Sequence, residues 1–151
     1  MKVLIVEDDA DIIEIVTFAL RQEGCEVQVA RDGEAGLQAV KAFAPDVVLL
    51  DVSMPRMDGL TALRELRRGP DKSAVPVIMM TARGRATDIS YAVSQGADDY
   101  LVKPFDVQEM VRKVVRHAGG AAGTHRSLRT GARDQRAPAR ITAPAGRRLR
   151  A

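Results

Sequence analysis

Four short apolar runs in this chain each end directly on a polar residue, and this placement constrains the fold more than any other feature. The runs and the residues that follow them are 3–6 before Glu7-Asp8-Asp9, 47–50 before Asp51, 77–80 before Thr81 and 100–102 before Lys103. If the runs are neighbouring parallel strands, their carboxyl ends meet at one edge of the sheet, where open α/β sheets bind ligands. Carboxylates, a hydroxyl and an ammonium at one edge indicate a metal-assisted site that forms an acyl phosphate.

Segments with helical spacing of apolar residues separate these runs, so that strand and helix alternate five times. The run at residues 47–50 is apolar at every position, which is typical of a central parallel strand covered on both faces. Other predicted elements are helices at residues 60–68 and 85–95, a strand at 75–80 and a last helix with Asp106 as its N-cap. This alternation predicts a doubly wound parallel α/β sheet with helices on both faces.

Charge and composition change sharply near residue 118. Residues 1–118 contain 15 Lys and Arg against 19 Asp and Glu, a net charge of −4, whereas residues 119–151 contain eight Arg and only Asp134, a net charge of +7. The second segment is also rich in Gly and Ala and has only three large apolar residues. Since it buries too little apolar surface to offset its ordering entropy, we predict a domain at residues 1–118 and a disordered basic tail at 119–151.

The cysteine content and the amino terminus bear on the cellular compartment. Cys25 is the single cysteine, so no internal disulfide can form, and we expect it to be a small buried side chain. The amino terminus becomes acidic too early for a secretory signal, and no apolar run approaches membrane-spanning length. We therefore expect a cytoplasmic protein without a membrane span.

Four sequence blocks together carry a family resemblance. They are VEDD at residues 6–9, LLDVSMPRMDG at 49–59, MTA at 80–82 and GADDYLVKPF at 96–105. Over residues 1–118 the chain resembles the receiver domain of two-component response regulators. The resemblance implies a flavodoxin-like fold with five strands in the order 2-1-3-4-5 and five helices. Because no helix-turn-helix pattern follows the last helix, we expect a stand-alone, single-domain receiver.

The resemblance implies a phosphoacceptor and a metal site. Asp51 would attack the phosphorus of a phosphohistidine and form an acyl phosphate. Asp8, Asp51 and the backbone carbonyl of Ser53 would bind the metal directly, and Glu7 would bind it through water. Hard oxygen ligands with several retained waters suit Mg²⁺. For Asp9, the start of the first helix is the favoured role, because an anionic side chain complements the helix dipole.

Further residues are assigned to the switch by the same resemblance. Lys103 would pair with Asp51 in the empty site and with a phosphoryl oxygen after loading, and the bond to Pro104 would be cis. The hydroxyl of Thr81 would bond a phosphoryl oxygen, and movement of Thr81 would allow Tyr100 to turn inward. Tyr100 in isolation fits equally well as a strand aromatic that covers the sheet edge.

Two residues flank the approach to phosphorus and are expected to tune the lifetime of the acyl phosphate. Ser53 and Arg83 lie two positions after Asp51 and Thr81, respectively. Such a protein would catalyse its own phosphorylation and slow dephosphorylation without being a dedicated turnover enzyme.

The expected partners are a sensor histidine kinase or a histidine phosphotransfer protein, and an unknown downstream protein. Docking would use the face formed by the fourth helix, fifth strand and fifth helix, or the protein would act as an intermediate in a phosphorelay. We expect a monomer or a phosphorylation-dependent dimer, and we do not expect nucleic acid as a partner.

Two other classes of function are open at this point. The Arg-rich tail could bind nucleic acid or an anionic membrane through phosphate charges, although it lacks aromatic residues for base stacking and amphipathic periodicity. A flavin-binding protein could share the strand order, but it needs a Ser-, Thr- or Gly-rich phosphate loop where this chain has Glu7-Asp8-Asp9. The absence of flavin absorption would exclude that class.

Overall fold

A five-stranded parallel sheet organises the computed structural model, which describes residues 1–120. The strand order is β2-β1-β3-β4-β5, which confirms the predicted flavodoxin-like fold. The elements in chain order are β1 (Lys2–Val6), α1 (Ala10–Gln22), β2 (Glu26–Ala30), α2 (Gly33–Phe43), β3 (Val47–Asp51), α3 (Gly59–Arg68), β4 (Val77–Thr81), α4 (Ala86–Ser94), β5 (Asp99–Val102) and α5 (Val107–Gly120). The predicted tail lies outside the described residues apart from its first two, so its disorder and the boundary at residue 118 stay predictions.

Aspartate side chains start four of the five helices. Each accepts hydrogen bonds from backbone N–H groups of the first turn, which have no partner within the helix, and such a cap typically stabilises a helix by about 1 kcal/mol. Asp9 takes this role in α1, as its position after the first strand predicts. The other three are Asp32 before α2, Asp58 before α3 and Asp106 before α5.

The sheet separates two apolar clusters. The first lies under α1 and α5 and includes Val16, Leu20 and Met110, whereas the second lies under α2, α3 and α4 and includes Leu63 and Ala92. Every residue of β3 is buried, which confirms the predicted central strand. Because the two apolar clusters cover both faces of the sheet, the carboxyl ends of its strands are held in a fixed geometry.

Strand β4 and helix α4 differ slightly from the predicted bounds. Strand β4 begins at Val77 and not at residue 75, because Pro76 has no N–H group to donate to the ladder. Helix α4 is one residue shorter at each end than predicted, since Arg85 and Gln95 are its flanking cap residues. Cys25 is buried, as expected. Within residues 1–120, none of the helices combines the length and the apolarity that crossing a membrane requires.

Candidate functional site

Three carboxylates meet at the carboxyl edge of the sheet. Glu7 follows β1 directly and Asp51 ends β3, and one carboxylate oxygen from each of Glu7, Asp8 and Asp51 lies within 4.8 Å of the others. Glu7 is 1% exposed and Asp51 is 3% exposed, whereas Asp8 is open to solvent. Two unit charges at ~4 Å repel by about 4 kcal/mol at an effective dielectric constant near 20, so this cluster requires a cationic partner.

Lys103 supplies part of the compensating charge. Its Nζ lies 2.9 Å from Asp51 Oδ1 and 3.0 Å from Glu7 Oε1. Burial opposes the charged ammonium, but the hydrogen bonds to Asp51 and Glu7 outweigh that effect and raise the pKa of Lys103 above its usual range. Lys103 therefore stays protonated at neutral pH. Sequence reasoning placed Lys103 beside Asp51 and missed its second carboxylate.

Glu7 holds its proton more strongly than a carboxyl group in water does, because its surroundings raise its pKa. Burial raises the pKa of Glu7, and hydrogen bonds from the Asp9 N–H and from Lys103 oppose that rise only in part. The negative charge of nearby Asp51 raises the pKa of Glu7 further. A cation at this edge would reverse the balance, since it stabilises both ionised carboxylates.

The end of β5 is fixed against β4 next to this cluster. The backbone N–H of Lys103 donates to the Thr81 carbonyl oxygen at 2.7 Å, and the Lys103–Pro104 peptide bond is cis. The hydroxyl of Thr81 accepts a hydrogen bond from the Arg83 N–H at 2.8 Å. The polar residues that end β3, β4 and β5 are thus brought to one edge.

A cavity of about 410 Å³ adjoins this edge on the side of α3 and α4. Ser53, Thr81, Arg83 and Tyr100 all line it. Tyr100 is half-buried and packs against the apolar cluster under α2, α3 and α4. The two residues that the resemblance assigns to the switch therefore share one cavity with the two whose positions suggest a role in the acyl phosphate lifetime.

The loop at residues 52–58 leaves Asp51 and returns to it. The Gly59 N–H donates to the Val52 carbonyl oxygen at 2.9 Å, and a Cβ atom on Gly59 would overlap the Asp51 carbonyl oxygen. Near the tip of the loop, Arg56 adopts a left-handed φ of 66° and its guanidinium lies 2.8 Å from Asp32 Oδ2. This ion pair had no sequence signal, because its partners are 24 positions apart and follow no periodic pattern.

The donor set fits a small divalent cation. Glu7, Asp8 and Asp51 offer hard oxygen ligands, and the exposure of Asp8 leaves room for the waters that Mg²⁺ retains. When bound, a divalent cation would supply positive charge that offsets the mutual repulsion of these acids. Direct ligation by the Ser53 carbonyl and water-mediated ligation by Glu7 stay predictions.

A second charged cluster, which sequence reasoning missed, joins β5 to α5. Asp99 accepts hydrogen bonds from Lys113 at 2.8 Å and Arg116 at 2.9 Å, and His117 Nε2 lies 3.0 Å from it. Burial alone would raise the pKa of Asp99, but hydrogen bonds from His117, Lys113 and the Tyr100 N–H outweigh it and hold the pKa well below its usual range. The carboxylate therefore stays ionised well below neutral pH and ties α5 to the edge strand.

Comparison with protein families and curated proteins gives one consistent result. The family model described as response regulator receiver domain matches residues 3–115. The DNA-binding response regulator MtrA of Mycolicibacterium paratuberculosis is 42% identical over 113 residues, covering 75% of this chain and 49% of the relative. The transcriptional regulatory protein CseB of Streptomyces coelicolor is 43% identical over 133 residues, covering 86% and 56%. The chain thus spans about half the length of the curated relatives it matches.

Solved structures give the same fold. The receiver domain of the Francisella response regulator 1452 superposes with a TM-score of 0.74 at 30% identity and covers 78% of this chain and 96% of its own. The chemotaxis protein CheY4 of Vibrio cholerae superposes with a TM-score of 0.70 at 30% identity and covers 76% and 96%.

Proposed function

The chain belongs to the receiver domain family of two-component response regulators, and we propose that Asp51 is its phosphoacceptor. One observation carries this proposal: a nearly buried carboxylate at the carboxyl edge of the sheet shares Lys103 with Glu7 and lies beside Asp8. Such a group is held in place beside an ammonium that can neutralise part of the charge of an arriving phosphate.

The proposed reaction transfers a phosphoryl group from a histidine of a sensor kinase or of a phosphotransfer protein. A carboxylate oxygen of Asp51 attacks phosphorus, the new O–P bond forms as the N–P bond breaks, and the imidazole leaves. Lys103 exchanges its contact with Asp51 for a phosphoryl oxygen and the hydroxyl of Thr81 donates to another, so both stabilise charge that develops during transfer. Mg²⁺, when bound by the acidic cluster, would neutralise the remaining negative charge.

The direct test is incubation of the full chain with a small acyl phosphate donor, with Mg²⁺ or with an excess of chelator. With Mg²⁺ we expect a mass increase of one phosphoryl group per chain, labile to base and stable to acid, and located on Asp51 by fragmentation. With chelator, labelling should fall by about a hundredfold or more, because the carboxylates then repel the phosphate uncompensated. Equal labelling with and without metal, or a label on another residue, would contradict the proposal.

Phosphorylation is proposed to act through Thr81 and Tyr100. Thr81 would exchange its hydrogen bond with the Arg83 N–H for one with the phosphoryl group, and Tyr100 would turn into the cavity that both residues line. The face formed by α4, β5 and α5 would change with it and dock a downstream protein. Val93 of α4 and Val115 of α5 are exposed apolar side chains of these helices and suit protein contact.

The nature of the output rests on the relatives. MtrA is named as DNA-binding, but this chain covers only half of it. The comparison therefore conflicts only weakly with the expectation that nucleic acid is not a partner. A direct role of the basic tail in binding nucleic acid or membrane is not favoured, because the matched proteins are response regulators. We propose a protein partner for the α4–β5–α5 face.

Arg83 is proposed to control water access to the acyl phosphate. Its side chain lines the cavity beside Thr81 and Ser53, so Arg83→Ala should open the approach to phosphorus and speed loss of label by a factor of about three or more, while loading persists. The decay of isolated labelled protein measures this. Arg21→Ala is the matched control, since Arg21 is an exposed arginine of α1 outside the lining of that cavity. An unchanged decay rate in Arg83→Ala would remove the idea.

A further inference from the structure

We propose that Arg56 and Asp32 form a latch that positions the loop at residues 52–58 and thereby sets the affinity of the site for Mg²⁺. The inference rests on the proposed metal site, because that loop begins at Asp51 and carries the Ser53 carbonyl. Neither residue is expected to touch the metal, so both are positioning residues.

The base of the loop is fixed by backbone contacts. The Val52 N–H donates to the Met80 carbonyl oxygen at 2.9 Å, and the Gly59 N–H donates to the Val52 carbonyl oxygen at 2.9 Å. The start of the loop is therefore tied to β4, and the end of the loop is tied back to its start. The residues between them have no strand or helix of their own, so their position depends on what the tip of the loop contacts.

The tip of the loop is seated on the amino terminus of α2. Met57 lies so close to Gly33 that a Cβ atom on Gly33 would be 2.6 Å from the Met57 carbonyl oxygen. Beside it, Asp32 uses both carboxylate oxygens: Oδ1 caps α2 by accepting from the Ala35 N–H at 2.9 Å, and Oδ2 binds Arg56 at 2.8 Å. One carboxylate thus joins the start of α2 to the loop.

Helix α2 connects this latch to the other half of the acidic cluster. Gly36 of α2 allows close approach to Val6, since an added Cβ atom would lie 3.0 Å from both Val6 methyl groups. Val6 directly precedes Glu7 and Asp8. The latch therefore holds the loop after Asp51 against the same helix that packs on the strand carrying the other two acids.

The properties of the pair indicate a positional role and little net contribution to stability. The Arg56 side chain is 72% exposed, and an exposed ion pair stabilises a fold only slightly. Arg56 also adopts a left-handed backbone conformation, which glycine takes without steric cost and other residues take with one. Hydrogen bonds from the Ala35 N–H and from Arg56 lower the pKa of Asp32, so its charge is present throughout the neutral range.

Mg²⁺ titration of Arg56→Ala, Asp32→Asn and the double variant by calorimetry tests the latch. We expect each single change to weaken binding about three- to tenfold, and the double variant to bind no more weakly than the weaker single variant. Asn at position 32 can still accept the capping hydrogen bond from Ala35, so helix α2 keeps its start. Arg56→Lys should restore much of the affinity, because it keeps the charge.

A through-space charge effect gives a different pattern. Removing the positive charge of Arg56 would then tighten Mg²⁺ binding, removing the negative charge of Asp32 would weaken it, and the two would cancel in the double variant. Lys41→Ala, which breaks an exposed ion pair with Asp71 elsewhere, is the matched charge control and should leave Mg²⁺ binding unchanged.

General destabilisation is separated by two further measurements. Arg56→Gly removes the pair and also relieves the left-handed backbone, so its melting temperature should match wild type while its Mg²⁺ affinity falls. In metal-free Arg56→Gly, amide hydrogen exchange should accelerate at residues 52–59 and stay at the wild-type rate in the five strands. If wild type binds Mg²⁺ and every Arg56 and Asp32 variant binds it with the same affinity, the latch is wrong and the metal site stands. If wild type binds no Mg²⁺, the metal site is wrong as well.

Discussion

Asp51→Asn should abolish phosphorylation by a small phosphodonor while the protein stays folded. Asparagine has nearly the same shape but its amide is no nucleophile toward phosphorus, so the label should fall to background. Lys103 keeps Glu7 as an ionic partner at 3.0 Å, and the change removes one of two buried carboxylates that repel each other. We therefore expect a native circular dichroism spectrum and a melting temperature within a few degrees of wild type. Intact-mass measurement after incubation with donor and Mg²⁺ quantifies the label.

Asp71→Asn is the matched control for this experiment. Asp71 is an exposed carboxylate that pairs with Lys41 away from the sheet edge, so its removal should leave labelling unchanged. Retention of wild-type labelling in Asp51→Asn would show that the phosphoryl group goes elsewhere. Because Lys103 still pairs with Glu7 in this variant, losing its contact with Asp51 should cost little stability. An unfolded Asp51→Asn protein would contradict that expectation.

Among the glycines of residues 1–119, Gly59→Ala should have the largest effect on stability, because the added methyl group has the closest contact there. The new Cβ atom would overlap the Asp51 carbonyl oxygen and lie 2.9 Å from the Val52 Cα atom, both of which are backbone atoms that cannot rotate away. We expect a loss of about 3 kcal/mol in the free energy of unfolding, the upper part of the range for overpacking. In thermal denaturation the midpoint should fall by roughly 10 °C or more.

The same addition at Gly119 provides the comparison. Gly119 lies in α5, and a Cβ atom at this position would meet nothing within 4 Å apart from the nearby backbone of its own helix. Gly119→Ala should therefore leave the midpoint unchanged or raise it, as alanine favours a helix over glycine. If Gly59→Ala melts with wild type, the close return of the loop to Asp51 is wrong. Since residue 59 starts α3 and borders Asp51, the variant should also lose Mg²⁺ affinity.

The strands could be predicted from sequence because burial on both faces leaves a continuous apolar run, as at residues 47–50. Helix starts could be predicted because the capping Asp side chain bonds a backbone N–H only two or three residues further on. The strand order itself came from the family resemblance. The bounds of β4 were wrong by two residues at its start, where the missing N–H of Pro76 outweighed the apolar character of Val75. The local sequence thus predicts which strands and helices form, whereas backbone hydrogen bonding decides at which residue each one begins and ends.

Sequence reasoning missed three sets of long-range ion pairs, although the family resemblance placed Lys103 beside Asp51. Lys103 meets Glu7 across 96 positions, and Arg56 meets Asp32 across 24. Asp99 attracts Lys113, Arg116 and His117 from the last helix. Such pairs have no periodic signature, because they depend on which strands become neighbours and on side-chain geometry that only the packed fold defines.

The division of the interior into two apolar clusters has a mechanical consequence at the edge of the sheet. Helices α4 and α5 flank β5, yet α4 rests on one cluster and α5 on the other. Tyr100 belongs with the cluster under α4, so the proposed rotation of its ring would shift that helix without repacking the apolar layer beneath α5. On the α5 side, it would alter the 5.3 Å approach of Lys113 Nζ to the ring. The distance between α4 and α5 would then change while the apolar packing on each side of the sheet stays the same. A partner that contacts both helices would bind the two states with different affinity.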